Sequence, residues 1–164
     1  MANLCIGVLE KLRGYLVAPD GLNAQVHAIA VRDMVQFPEI TERDVALRHA
    51  AVDLLDESGD SHYPVVYLFC ERVENRIERK FAKFAGRIVV VADIRVSEDT
   101  VERLGQNAAR LAEAFSVVLA NHRGYWTDEV AFDGRYEIKF NPITEGGVNF
   151  VQTARIEIEL LGHV

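Results

Sequence analysis

Gly59-Asp60-Ser61-His62 is the first stretch of this chain that invites a chemical reading. A serine hydroxyl attacks an ester carbonyl when a histidine base lies within hydrogen-bond reach and a third group holds that base. Gly-Asp-Ser opens one hydrolase signature of this kind, but the Asp-x-x-His segment that completes it near the C-terminus has no counterpart here. The tetrapeptide also precedes a predicted strand instead of following the first one, so it reads as a helix-to-strand turn. Asp56, Ser58 and Asp60 have the alternate spacing of a calcium loop, yet Ser61 stands where its glycine belongs and Tyr67 where its bidentate glutamate belongs. That segment reads as a solvated loop. The five histidines, His27, His49, His62, His122 and His163, form no pair at metal-ligand spacing. Gly146-Gly147 is a tight-turn signal rather than a phosphate loop. The residues thus predict no catalytic centre, no metal and no cofactor. The enzymatic alternative is a site assembled from scattered groups such as Asp93, His122 and Glu137.

A second kind of chemistry lies in charge. The chain has 164 residues and a formal charge of −7. Between Glu71 and Arg87, however, six basic residues (Arg72, Arg76, Arg79, Lys80, Lys83, Arg87) face three acidic ones, a local surplus of +3. Phe81 and Phe84 lie inside this stretch. Basic residues interleaved with aromatics suit contact with nucleic acid, or docking of a hairpin tip on an acidic neighbour. A plain solvated hairpin is the third reading. In an acidic chain, self-complementarity is the simpler outcome, and the residues expected at a protein interface are Arg76, Arg79, Phe81, Lys83 and Phe84. The acidic balance disfavours capture of nucleic acid, which needs Lys and Arg to displace counterions.

Composition bounds the rest. Apolar residues make up 49% and charged residues 26%, an ordinary globular balance for a single domain over 1–164. The apolar runs Val65–Cys70 and Ile88–Ala92 are far below the roughly 18 residues of a membrane-spanning helix, and Met1–Ile6 does not read as a secretory signal. Cys5 and Cys70 both fall in apolar patterns and read as buried thiols, with a single disulfide as the alternative. A cytosolic protein is expected.

The elements that must position these groups follow from periodicity. Leu4, Cys5, Val8, Leu9, Leu12 and Leu16 predict a helix over 2–18, broken at Pro19-Asp20-Gly21. Residues 24–37 are ambiguous, because Val26, Ala28 and Ala30 alternate like a strand while Ile29, Val31 and Met34 do not. Thr41 and Asp44 resemble a helix start, with Val45, Ala51, Leu54 and Leu55 following. Tyr63–Val73 and Arg87–Val96 read as strands, the second placing Ile88, Val90, Ala92, Ile94 and Val96 on one face. Val89, Val91, Asp93 and Arg95 occupy its other face, which is expected to be only partly buried. Ser97 or Asp99 is the expected cap of a long helix burying Val101, Leu104, Ala108, Leu111, Ala112, Phe115, Val118 and Leu119. Strands around Tyr136, Ile138, Phe140 and over Ala154–Leu160 close the chain. The fold class is α+β: a helical part over 1–62, then a β-β-α-β-β sheet over 63–164 with one long helix packed on it.

This order resembles the tail terminator (tail completion) proteins of tailed bacteriophages and prophages. The likeness is carried by Tyr63-Pro64-Val65-Val66, by Ile88–Ser97 running into the Asp99 helix, and by Glu145-Gly146-Gly147 with Ala154-Arg155-Ile156-Glu157-Ile158. It covers about the last hundred residues and is one of architecture. The resemblance implies a ring, typically a hexamer, that stops growth of the tail tube and presents a surface to the head. Its partners would be copies of itself, the tail tube protein and the head-joining proteins, with no membrane and with DNA only as passing cargo. It would be made in the bacterial cytoplasm and end in the virion tail, without catalysis, metal or cofactor. An acidic lumen would let DNA slide without holding it.

Overall fold

A computed structural model describes residues 2–48, 62–76 and 84–163. Helix α1 (Ala2–Val17) buries Val8, Leu9, Leu12 and Leu16, the stripe its spacing predicts. It stops before Gly21, where a β-carbon would run into the carbonyls that end the helix. Residues Leu22–Asp33 form α2, which resolves the ambiguous segment. Leu22, Val26, Ile29 and Ala30 lie one or two turns apart and point inwards, while Val31 and Met34 face solvent. Met34 ends α2 in the left-handed conformation, with φ 54°.

The helix expected from Thr41 does not begin there. Thr41 does cap, with its backbone N–H and hydroxyl donating to Asp44 Oδ2 at 2.7 and 2.8 Å, but only a 3-10 turn over Glu42–Asp44 results. Val45–Leu47 then becomes strand β1, parallel to β2 and pairing Val45 with Val66. A sheet edge that could take a β-branched residue prevailed over local capping. Ala51, Leu54 and Leu55 lie outside the described residues.

Strand β2 (Val65–Asn75) runs antiparallel to β3 (Ala85–Glu98), and β3 pairs along its whole length with β8 (Asn149–His163). Between them come α3 (Val101–Asn121), β4 (Gly124–Thr127), β5 (Val130–Phe132), β6 (Tyr136–Phe140) and β7 (Thr144–Gly146). Among the described residues the sheet has eight strands, with the order β1-β2-β3-β8-β5-β4, and the far side of β8 is taken in turn by β5, β6 and β7. The expected β-β-α-β-β core is present, with its C-terminal part divided into more strands.

Helix α3 packs on β3 and β8 through Leu104, Ala108, Leu111, Ala112, Phe115, Val118 and Leu119, all buried. Two expectations for it need correction. Thr100, rather than Ser97 or Asp99, is the N-cap: its hydroxyl accepts from Arg103 N–H at 3.4 Å, while Ser97 still belongs to β3 and Asp99 pairs with the Arg103 guanidinium. Val101 is exposed, because the helix begins before its stripe reaches the sheet. No helix among the described residues is long and apolar enough to cross a membrane.

Candidate assembly surface

The basic segment begins on the β2–β3 hairpin. Its stem closes through Arg76 N–H on Ala85 O at 2.6 Å and Ala85 N–H on Asn75 Oδ1 at 3.3 Å. Gly86 sits against the Glu74 carbonyl, where a side chain has no room. Arg76 is exposed and paired with Glu74 at 2.9 Å, and Glu74 also meets Arg72 at 3.2 Å. Of the five expected interface residues, Arg79, Phe81 and Lys83 lie outside the described residues. Phe84 is corrected: it is 4% exposed and part of the main core. Its ring lies over Gly162, where a β-carbon would come within 2.5 Å. An aromatic in a basic stretch had suggested a surface anchor, but the glycine across the sheet opens a slot for it.

The face of the sheet away from the helices is a lattice of charge. Asp93, buried, accepts from Arg155 Nε and Nη2 at 2.8 and 2.9 Å. This pair, more than any other contact, raises the Arg155 pKa above its ordinary value. Lys139 donates to Glu157 at 3.0 Å and lies 3.5 Å from Glu137; first the Glu157 bond, then the charge of Glu137, hold its ammonium above the usual range. Arg87 meets Glu159 at 3.5 Å. Val89, Val91 and Phe69 are buried beneath these polar groups without joining the helix-side core. The face expected to be partly buried is therefore more buried than its sequence suggests. The long stem of Arg155, with its guanidinium 5.9 Å from the Phe69 ring, explains part of this.

The scattered groups of the enzymatic alternative stay apart. His122 caps α3, with Nδ1 2.8 Å from Val118 O and its ring stacked on Tyr15 at 3.9 Å. Asp93 is engaged by Arg155 on the other face of the sheet, and Glu137 is exposed on β6. Ser61 and the Asp56–Asp60 segment lie outside the described residues. Its neighbour His62 pairs with Asp44 at 3.2 Å. No group of three His, Cys, Asp or Glu among the described residues could hold a metal. A cleft of about 540 Å³ beside α2 is lined by Val26, Ala30, Val31 and Phe37, with His27 and Glu39 as its titratable groups.

Which strands form the sheet margins is the feature that sequence reasoning did not find. Among the described residues, β1 pairs only with Val66–Leu68, so β2 from Phe69 to Asn75 has a strand partner on the β3 side alone. On the opposite flank, β6 pairs, among the described residues, only with β8. Glu159 N–H donates to Arg135 O at 3.1 Å and Asn141 N–H to Thr153 O at 2.9 Å. By antiparallel alternation, Tyr136, Ile138 and Phe140 then turn their own N–H and C=O groups outwards, away from β8. Their side chains share the face of Ile158, Ile156 and Ala154; Ile138 packs against the core, while Tyr136 is 38% and Phe140 49% exposed. Val148, on the turn after β7, is 98% exposed. The alternation Tyr-Glu-Ile-Lys-Phe foretold a strand with an apolar side, but edge status depends on which strands pair. No protein-family model matches the chain, and no curated protein matches it either.

Proposed function

We propose that this protein is structural and assembles head to tail with copies of itself into a ring, as a tail terminator of a phage or prophage tail. The observation that carries the reading is the β6 flank, where a strand edge with no partner among the described residues and the half-exposed Tyr136 and Phe140 occur together. Exposed edges of this kind recruit further strands unless something covers them. The β2 edge, partly unpaired among the described residues, lies at the other side of the same sheet, so one copy can offer β6 where the next offers β2. Such a contact between unlike surfaces closes into a ring when the rotation per copy allows it. The ring would seat on the end of the tail tube, stop its growth and present a face to the head-joining proteins.

The test compares wild type with Phe140→Pro and Phe140→Ala by solution mass and by the length of tail tubes grown with the protein present. Proline removes an outward N–H and leaves the β8 ladder in place, and it restricts Lys139 to the extended conformation it already has. Wild type should form closed rings, alone or on tube ends, and limit tube length. Phe140→Pro should lose this more completely than Phe140→Ala while both remain folded. A wild-type chain that stays single with and without tubes, and leaves tube length unchanged, overturns the reading.

A further inference from the structure

Cys5 and Cys70 stand 65 positions apart, one in the first turns of α1 and the other on β2, with their sulfur atoms 3.1 Å apart. Both are free and half-buried at the seam where α1 meets the sheet. A disulfide bond is about 2.05 Å long, so the sulfurs need approach by only roughly 1 Å. We infer that Cys5 and Cys70 are an oxidative modification site, at which a low-molecular-weight disulfide such as oxidised glutathione couples them into an intramolecular cross-link clasping α1 to β2.

The chemistry balances in two exchanges. The Cys5 sulfur, as thiolate, attacks one sulfur of the oxidant, forms a mixed disulfide and expels one glutathione thiolate. Cys70 then attacks the Cys5 sulfur, gives up its proton and expels the second glutathione. The two protein thiols are oxidised and one glutathione disulfide is reduced to two glutathione thiols. Burial, then its hydrogen bond to Cys5, pushes the Cys70 thiol up to about 12, which disfavours Cys70 as the first attacker and leaves that role to Cys5. The link would close a loop containing most of α1, all of α2 and β1, and would restrict the unfolded chain far more than the folded one.

The experiment treats the reduced full-length protein with oxidised glutathione and reads intact mass, free-thiol count, cross-linked peptides and melting temperature. The expected product is a chain lighter by two hydrogens and not covalently joined to another, with no free thiol and a peptide joining Cys5 to Cys70. Its melting temperature should rise by roughly 5–15 °C, reversibly with dithiothreitol, and this rise should vanish in both Cys5→Ser and Cys70→Ser. Stable glutathione adducts on the wild-type chain, disulfide-linked dimers, or two thiols still free after prolonged oxidation would each overturn the inference. So would an equal rise in either single-cysteine variant.

Discussion

Asp93 is a carboxylate on a strand whose two neighbours, Ala92 and Ile94, face the core. Its own side chain points to the opposite face, where burial would be costly without the two-pronged guanidinium of Arg155. Removing one partner of such a pair strands the other charge, whereas removing both does not. Arg155→Met should therefore cost about 3 kcal/mol in urea melts, and the double variant Asp93→Val with Arg155→Met should return to within about 1 kcal/mol of wild type. A double variant as unstable as the single one would show that the residues serve other contacts. Phe84 makes a related point. Position in a basic run suggested the surface, but a glycine on β8 decided its burial.

At the scale of elements, the C-terminal end of α2 is fastened to α3 by an ionic cluster. Arg32 meets Asp33 at 2.8 Å and Glu113 at 2.5 Å, and Arg110 meets Asp33 at 2.9 Å. Hydrogen bonds from Arg32 and then Arg110 lower Asp33 from its ordinary 3.8 to about 2, and the Arg32 bond also lowers Glu113. A depressed folded-state value stabilises the fold above the ordinary carboxylate range, and the contribution is lost as pH falls through the folded value. Wild type should thus melt at a higher temperature than Asp33→Asn near pH 6. The gap should close as pH falls from about 4 to about 2. A gap that is independent of pH would mean that the asparagine acts through packing rather than charge. Added salt should narrow the gap near pH 6, since the cluster lies at the surface.

At the scale of the whole molecule, the proposed ring would link stability to concentration. Contacts made only by folded copies raise the melting temperature by mass action. Wild type should therefore lose roughly 3–5 °C for each tenfold dilution while rings are populated, and Phe140→Pro should melt at a temperature independent of dilution. If the two proteins respond alike to dilution, the β6 edge does not join the copies. The charge lattice on the outer sheet face bears on the same scale. Glu137, Glu157 and Glu159 share it with Lys139, Arg155 and Arg87, so that face is mixed in sign rather than uniformly acidic.

Helix α1, its break at Gly21, the core faces of β3 and β8, and the buried stripe of α3 were legible in the residue order. Each depends on a period contained within one segment, and amphipathic periodicity is a local property of the chain. The segment 24–37 was not legible, since its alternation and its helical spacing overlap; as a helix it packs against both α3 and α1. Capping at Thr41 was read correctly as chemistry, yet pairing with β2 decided that a strand should follow. Tertiary structure alone set the open flank of β6, the slot that receives Phe84, the union of Asp93 with Arg155 and the meeting of Cys5 with Cys70. All four are relations between segments far apart in the chain. No period within one segment encodes which distant strand, ring or sulfur will lie beside it.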